Sequence, residues 1–382
     1  MTPGLRLVRV ALSEFRNYAG LVWLPGARVS VVCGPNGSGK TNLLEAVSLL
    51  APGRGLRGAR IADLARQVAG RGPVAWAVAG RFAGLEGAFD LGTGSPPEGP
   101  AERRVFRLNG AAPRSQAELA GLVAMTWLTP QMDRLFQEGA SGRRRFLDRL
   151  VWALEPGHAR EVAAHDAAVA GRNRLLAEGR RDAGWLAGIE DSLARHAVAV
   201  AAARAGLAVR LNTALAGGVA GRFPAAEMRL DCPIAARLAM EPALAVEDWL
   251  RGELAAARGA DAAAGGTRLG AHRADMVLLD AASGRSAGLS STGQQKALLV
   301  GVVLGHAALV GQARGFAPLL LLDEPATHLD AAHRAALFDA LAAMPAQVLL
   351  TGTDGGVFAP LHGLAEGLLC EGGALRPDPG FP

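Results

Sequence analysis

Residues 27–50 read ARVSVVCGPNGSGKTNLLEAVSLL. The β-branched run Arg28–Cys33 predicts a buried strand, and the apolar spacing that starts at Thr41 predicts a helix. Between them, Gly34–Thr41 matches the phosphate loop G-x-x-x-x-G-K-[ST]. Strand, glycine-rich turn and helix form the context in which such a loop surrounds the phosphates of a nucleotide, so this stretch decides the fold class.

The predicted phosphate loop consists of Gly34, Pro35, Asn36, Gly37, Ser38, Gly39, Lys40 and Thr41. Its glycines let consecutive backbone N–H groups turn toward a triphosphate, and the helix N-terminus adds partial positive charge. We expect Lys40 to reach the β- and γ-phosphates and the Thr41 hydroxyl to ligate Mg²⁺. The alternative is a glycine-rich turn without a ligand, and the matched strand and helix weigh against it.

A second stretch supplies two carboxylates. Leu319–Leu322 runs directly into Asp323 and Glu324, which predicts a buried parallel strand whose carboxyl end carries both acids. We assign Asp323 to the metal ion and Glu324 to the attacking water. A strand end followed by a helix-capping acid is the alternative, and the phosphate loop elsewhere in the chain makes it the weaker one.

The charged residues give information about the partner and about the phosphate loop. The formal net charge of +5 permits a polyanionic partner. Lysine is almost entirely replaced by arginine, and the two lysines that remain are Lys40 and Lys296. A compact ammonium is required in the phosphate loop. For Lys296, a role at the site and a surviving surface lysine are both open.

The cysteines and the most apolar window indicate a cytoplasmic protein without a membrane span. The three cysteines are far apart and have no metal-ligand spacing, which argues against disulfides and structural zinc. The window Ala297–Gly311 is too short to cross a bilayer and predicts a buried core helix instead.

The chain changes character twice. Residues 1–131 mix strands and helices, residues 132–266 are rich in Ala, Leu, Arg and Glu at helical spacing, and mixed structure returns over residues 267–382. No sustained heptad pattern occurs in the middle part, which argues against a long coiled coil. The prediction is an α/β P-loop ATPase head in two parts, with an inserted helical lobe at 132–266.

Two further segments resemble parts of ABC ATPases. Ser291-Thr292-Gly293-Gln294 is similar to the Ser-Gly-Gly-Gln signature, with Thr292 in place of a glycine, and residues 326–330 resemble the D-loop that ends in Asp330. In ABC ATPases the signature contacts the γ-phosphate held by the opposite subunit, through a serine hydroxyl, a glycine N–H and the helix dipole. Ser-x-x-Gln is also a helix capping box, and both roles can hold at once.

Taken together, these residues resemble the RecF family of bacterial DNA replication and repair proteins over nearly the whole chain. Besides the phosphate loop, the motifs that carry the resemblance are FRNY at residues 15–18, GASGRRRFLD at 139–148, HRAD at 272–275, SSTGQQK at 290–296 and residues 323–330. The resemblance implies an ABC-type head related to SMC heads. It also implies slow ATP hydrolysis, an ATP-dependent homodimer, and binding of double-stranded and gapped DNA without sequence preference. RecR, with RecO, is the implied protein partner where RecA must load.

The resemblance also implies roles for single residues. Arg16 and Asn17 of the FRNY motif join the nucleotide-binding set with Ser291, Gly293, Gln294 and Asp330, and Gln131 stands where a Q-loop glutamine would sense the γ-phosphate. The chain departs from the family pattern at two places. No switch histidine follows the acids at residues 350–354, and Ala274 replaces the first acid of the HRDD stretch.

The role of the basic stretches is left open. Arg143, Arg144 and Arg145 either contact DNA phosphates or form salt bridges with Asp148 and Glu138. A second stretch, formed by Arg172, Arg174, Arg180 and Arg181, predicts a solvated helix face.

Two other function classes are open. One is a transporter-type ABC subunit, which is disfavoured because residues 42–289 separate the phosphate loop from the signature, a longer interval than in transporter heads. The other is an SMC-like structural head, which is disfavoured because no heptad pattern occurs.

Overall fold

The computed structural model describes residues 4–70, 72, 74–96, 98, 103–179 and 182–381. Arg180 and Arg181, part of the second basic stretch, lie outside the described residues. The chain divides into two compact units. The first comprises Met1–Asp133, Gly218–Pro224 and Ser291–Pro382, and the second comprises Arg134–Gly217 and Ala225–Ser290.

The N-terminal elements all belong to the first unit. In chain order they are β1 (Arg6–Phe15), β2 (Tyr18–Trp23), β3 (Val29–Cys33), α1 (Lys40–Ser48), β4 (Ala77–Gly84), β5 (Gly87–Gly94), β6 (Val105–Leu108), α2 (Gln116–Leu122) and β7 (Met125–Leu128). The second unit then contains α3 (Ala140–Leu154), α4 (His158–Ala177), α5 (Ala183–Ala216), β8 (Ala226–Asp231), α6 (Pro233–Leu238), α7 (Ala243–Ala256), α8 (Arg258–Ala264) and β9 (Asp275–Asp280). The first unit resumes with α9 (Thr292–Arg314), β10 (Leu319–Leu322), α10 (Ala331–Ala343), β11 (Val348–Gly352), β12 (Ala365–Glu371) and β13 (Ala374–Pro377).

The centre of the first unit is a six-stranded sheet in the order β13-β12-β3-β11-β10-β7. All neighbours pair in parallel except the β12–β13 hairpin. Every residue of β3, β10, β11 and β7 is buried, as expected for strands covered on both faces. Because these four strands are parallel, their carboxyl ends meet at one edge of the sheet.

A second sheet in the first unit is antiparallel, in the order β2-β1-β4-β5-β6. Its strands alternate between buried and exposed residues, and β4 shows the alternation most clearly. Alternate side chains therefore face the core and solvent, with Val10, Val78 and Phe82 among those that are buried.

Helix α9 is the buried core helix that the apolar window predicts. All but one of its residues from Gln295 to Gly311 are buried. By length and composition, α5 and α9 could each cross a membrane, but the apolar window of α9 is 83% buried and that of α5 is 44% buried. The extent of burial of α9 is typical of a helix that packs within a protein core.

The second unit is mainly helical, and α5 is its longest helix. Its apolar core gathers Leu193, Ala197 and Ala201 of α5 with Val246 and Leu250 of α7. The unit also contains a two-stranded antiparallel sheet of β8 and β9, which pairs Ala226 with Asp280 and Asp231 with Asp275.

The structure corrects three features of the predicted insertion. Because β9 pairs with β8, residues 267–290 group with the second unit and not with the C-terminal part of the head. Residues 218–224 lie in the first unit, where Phe223 packs against Gly301 of α9. The strand β8 lies inside a stretch that the sequence predicts to be helical.

Candidate functional site

The phosphate loop connects β3 to α1, as the sequence predicts. Gly34, Gly37 and Gly39 have φ values of 153°, 82° and 117°, which favour glycine. A Cβ at Gly34 would lie 2.4 Å from the carbonyl oxygen of Cys370, and one at Gly39 would lie 2.3 Å from Asn17 Nδ2. The backbone of this loop is therefore held closely by its neighbours, and its path requires glycine.

The FRNY motif fastens the loop from the β1–β2 hairpin. Asn17 Nδ2 donates to the carbonyl of Ser38 at 3.0 Å, and its Oδ1 accepts from Asn42 at 2.7 Å. The buried Tyr18 hydroxyl donates to the carbonyl of Gly39 at 3.0 Å. Burial raises the pKa of Tyr18, with the neighbouring Cys370 adding to the shift, so the phenol keeps its proton for this hydrogen bond.

Arg16 supports the helix that follows the loop. Its guanidinium makes two bonds to the carboxylate of Glu45, at 2.8 and 2.9 Å, and a third to the carbonyl of Asp63 at 2.8 Å. Arg57 approaches the same carboxylate at 3.3 Å. The sequence placed Arg16 among the nucleotide contacts, whereas its described contacts are with α1 and the segment that follows α1.

Lys40 lies inside the curve of the loop. Its Nζ donates to the carbonyl of Gly34 at 2.7 Å and to that of Pro35 at 3.0 Å, and the residue is buried. In contrast, Pro35, Asn36 and Gly37 at the tip are exposed. The ammonium can therefore exchange its hydrogen bonds to these two carbonyls for bonds to phosphate oxygens.

The predicted metal ligands are in direct contact. Thr41 Oγ1 donates to Asp323 Oδ1 at 3.0 Å, although 282 positions separate the two residues. Asp323 directly follows β10 and Thr41 lies in the first turn of α1, so the parallel sheet brings them to the same edge. The same Asp323 oxygen accepts from Thr351 Oγ1 of β11 at 2.7 Å, which fixes the carboxylate between the two strands.

This donor set fits Mg²⁺. A hydroxyl and a carboxylate are hard oxygen ligands, and Mg²⁺ commonly takes only one or two protein ligands, with phosphates and water completing its shell. In the described part of the chain, no group of three or more His, Cys, Asp or Glu side chains could hold a metal ion. A metal here would therefore depend on nucleotide phosphates for its remaining ligands.

Glu324 adopts an unusual backbone conformation. Its φ of 49° is rare for a residue with a side chain and is kept only where the surroundings enforce it. Its N–H donates to Thr351 Oγ1 at 2.9 Å, and its carbonyl accepts from Lys296 Nζ at 3.1 Å. The buried Lys296 also pairs with Asp133 at 3.3 Å.

Lys296 and Thr351 are site residues that sequence reasoning did not assign. The retention of a lysine in an arginine-rich chain pointed to Lys296, and the structure rules out the surface-lysine reading because the side chain is buried. Thr351 carried no sequence signal. It lies in the stretch that lacks a switch histidine, and its hydroxyl contacts both Asp323 and the backbone of Glu324.

Glu324 also faces a cleft of ≈ 200 Å³. His328 and Arg334 line it on one side, and Thr353, Asp354 and Phe358 are also in its wall. This cleft lies beside the acid pair, and none of Gly34–Thr41 is among its lining residues. The cleft leaves room for water molecules beside Glu324.

The signature segment caps α9. Ser291 Oγ accepts from the N–H of Gln294 at 3.4 Å, and Gln294 Oε1 accepts from the N–H of Ser291 at 3.1 Å, which completes a capping box. Ser291 and Gln294 are exposed. A Cβ at Gly293 would lie 3.1 Å from the carbonyl oxygen of His328, so the D-loop packs against this turn.

The structure brings some predicted residues together and leaves others apart. Among the described residues, no hydrogen bond joins Ser291–Gln294 to Gly34–Thr41. Asp330 caps α10 through the N–H of His333 at 2.8 Å and is exposed. Gln131 is exposed in the turn after β7, which is the neighbour of β10 in the sheet.

In the second unit, Arg143 and Arg144 have structural partners. Arg143 makes two bonds of 2.7 Å to Asp275, and Arg144 donates to the carbonyl of Ala274 at 2.8 Å. The sequence left open whether Arg143 contacts DNA or forms a salt bridge. It forms a salt bridge, but its acidic partner is Asp275 and not Asp148 or Glu138. Asp148 instead accepts from Arg204 at 2.7 and 2.8 Å and contacts His158.

The prediction of a solvated helix face is wrong for Arg172. Its guanidinium is fully buried and bonds Glu190 at 3.0 Å, Asp261 at 2.7 Å and Thr267 at 2.8 Å. Arg174 is exposed, as the prediction requires. A basic stretch in sequence therefore divides into a buried ionic centre and a surface residue.

The fold and the site define an ATPase head of the ABC type, with the loop on β3, the acid pair on β10 and a capped signature on α9. A family model described as "RecF/RecN/SMC N terminal domain" matches residues 6–364. The DNA replication and repair protein RecF of Mesorhizobium japonicum is 46% identical, with 99% of each chain covered. RecF of Agrobacterium fabrum is 45% identical, with 96% of this chain and 97% of its own covered. The chain belongs to the RecF family.

Solved structures agree with the fold. A structure of the recombination mediator protein RecF-ATPrS in the RecFOR pathway has a TM-score of 0.85 at 20% identity, covering 98% of this chain and 99% of its own. The SMC head domain of Pyrococcus furiosus has a TM-score of 0.52 at 14% identity, covering 97% and 95%. The predicted α/β head related to SMC heads is thereby confirmed.

Proposed function

We propose that this protein is an ATP-gated DNA-binding protein of replication and recombinational repair. Two copies bind two ATP molecules and hold double-stranded or gapped DNA without sequence preference. The names of its relatives and of the RecF-ATP neighbours support the role and the nucleotide. The observation that carries the proposal is that Ser291 and Gln294 are exposed and that no hydrogen bond joins Ser291–Gln294 to the phosphate loop of the same chain.

The residues of the site divide the work on the nucleotide. The N–H groups of Gly34–Thr41 and the Lys40 ammonium would bind the β- and γ-phosphates. Mg²⁺, held by Thr41 and Asp323, would neutralise phosphate charge. Glu324 would orient the attacking water and accept its proton. Lys296 and Thr351 hold the Glu324 carbonyl and N–H, and this fixed backbone supports a preorganised position for the residue.

A slow ATPase suits a switch better than a motor. In this proposal, ATP closes two copies on DNA and hydrolysis releases them. The exposed signature of one copy would complete the site on the loop of the other, through Ser291, Gly293 and the N-terminus of α9.

RecR, with RecO, is the partner that we carry over from the family. The described cysteines are all buried and free, which suits the reducing cytoplasm.

A DNA-binding titration tests the proposal. The purified protein is titrated onto fluorescent duplexes of two unrelated sequences, with ATP and with ADP, over a range of salt concentrations. We expect tighter binding with ATP, equal affinity for both sequences and a steep loss of affinity with salt, since phosphate contacts release counterions. Binding that is independent of nucleotide and salt would contradict the proposal.

A further inference from the structure

We propose that the solvent face of the antiparallel sheet β2-β1-β4-β5-β6 is the surface that contacts the phosphate backbone of duplex DNA, mainly through Arg9 and Arg81. This inference deepens the proposed function and rests on it. It follows from the strand register, from the charges on this face and from the lack of protein partners for its arginines.

The register places the two arginines directly opposite each other. Arg9 of β1 pairs with Arg81 of β4, just after an irregularity in the β1 ladder. Both side chains are exposed. Arg6, opposite Ala83, and Arg107 of β6, opposite Gly92, are exposed on the same sheet. Since alternate residues share a face, these arginines form one basic surface, and Val78 and Phe82 lie on the other side.

Like charges directly opposite each other on neighbouring strands repel, and Arg9 and Arg81 are such a pair. Asp90, opposite Arg81 on the other side, offsets only part of the positive charge of the four arginines. Among the described residues, no ion pair or side-chain hydrogen bond joins Arg6, Arg9, Arg81 or Arg107 to another group. Asp90 is the acid of this face, opposite Arg81, and no ion pair within 4.0 Å links the two. The surface therefore carries a surplus of positive charge that the protein does not neutralise.

Small residues occupy several of the outward positions near the two arginines: Ala11 opposite Ala79, Ser13 opposite Ala77, and Gly92 opposite Ala79 on the other side. The exposed Val22 lies opposite Ala11 on β2. Beside side chains of this size, the longer arginines can reach a phosphate backbone. A rigid duplex backbone can approach such a surface, and guanidinium groups bind phosphate through two parallel hydrogen bonds.

Two of the three arginines for which the sequence left DNA contact open have protein partners. Arg143 bonds to Asp275 and Arg144 to the carbonyl of Ala274, and in the second basic stretch Arg172 is fully buried. Arg145 and Arg174 are exposed as single residues of these stretches, whereas the sheet face groups four exposed arginines.

The test replaces both arginines without changing side-chain polarity. The variant Arg9→Gln/Arg81→Gln is compared with the native protein in duplex binding with ATP across a salt series. We expect roughly tenfold weaker binding, equal for unrelated sequences, and a slope of log affinity against log salt that is shallower by about 0.9 for each lost phosphate contact. Asp90→Asn, which removes the acid of the face, should tighten binding.

A matched control keeps the result specific. Arg376→Gln alters an exposed arginine on β13 in the same unit and should leave affinity and salt slope unchanged. If the native protein binds DNA with ATP and the double variant binds equally well with the same slope, the inference is wrong and the proposed function stands. If the native protein does not bind duplex DNA, both fail.

Discussion

At the scale of the residue, the site depends on groups that hold the backbone of its acids. Glu324 has a positive φ, and its carbonyl and N–H are each fixed by one side chain, Lys296 and Thr351. Thr351 also bonds to Asp323, which links the acid proposed for the metal ion to the acid proposed for the attacking water. Changes at these supporting residues should therefore affect catalysis while leaving nucleotide binding in place.

Lys296→Met tests this expectation. A hydrogen bond to a charged group contributes about 1.5–3 kcal/mol, so its loss should lower the turnover number for ATP by roughly 10- to 100-fold if the bond serves the transition state. The KM for ATP should change little because the phosphate loop is intact. Steady-state kinetics measures both quantities.

Lys296→Met also leaves Asp133 as an unpaired acid, which could act through stability alone. The double variant Lys296→Met/Asp133→Asn removes both charges and should recover thermal stability, while turnover stays low. Recovery of native turnover in the double variant would show that Lys296 only balances the charge of Asp133.

At the scale of the element, the sequence predicted what local pattern determines. The strand, loop and helix over residues 28–50 and the strand that ends at Asp323 are continuous signals, and the structure has both. It could not predict that β9 joins β8, because this pairing is a contact between segments more than forty positions apart whose own patterns are short. Arg172 was misassigned for the same reason, since its acidic partners lie on other elements.

The buried ionic centre around Arg172 gives a stability prediction. Removing one partner of a buried ion pair leaves uncompensated charge and costs about 3–5 kcal/mol. Arg172→Ala should therefore lower the urea midpoint of the second unit markedly, because Glu190 and Asp261 lose their shared partner. Arg174→Ala on the same helix is exposed and should change the free energy of unfolding by less than about 0.5 kcal/mol. Equal midpoints for the two variants would refute the assignment.

A histidine pair in the second unit predicts a dependence of stability on pH. The rings of His165 and His272 lie 5.3 Å apart, with Asp166 bonded to His165 at 3.1 Å. Burial is the main cause that lowers the pKa of both histidines below 6.5. Arg204 and Arg273 add repulsion, and Asp166 opposes it. As pH falls through 6.5, the unfolded chain takes up protons that the folded unit does not, so stability decreases.

The measurement is the urea midpoint at pH 7.5 and at pH 5.5. The native protein should be less stable at the lower pH, and His165→Gln/His272→Gln should show a smaller difference between the two values. A difference as large in the variant as in the native protein would assign the pH dependence to other groups.

At the scale of the whole molecule, each chain carries two parts of the proposed ATP site, and no hydrogen bond among the described residues joins them. The phosphate loop with Asp323 is one part, and the exposed capping box at Ser291–Gln294 is the other. The sequence predicted both parts from their motifs. It could not show that the signature turn is exposed, that the D-loop packs on Gly293 or that Lys40 is buried, because these depend on how distant segments pack.

The oligomeric state under defined nucleotides tests the central claim most directly. The variant Glu324→Gln keeps the phosphate loop and lacks the water-activating carboxylate, so it should accumulate the ATP-bound form. Analytical ultracentrifugation at micromolar concentration should give twice the monomer mass for Glu324→Gln with Mg²⁺ and ATP, and the monomer mass with ADP. Glu324→Gln/Ser291→Arg should still bind ATP but stay monomeric, because the arginine blocks the signature surface. A monomer for Glu324→Gln at saturating ATP, or a dimer for the double variant, would contradict the account.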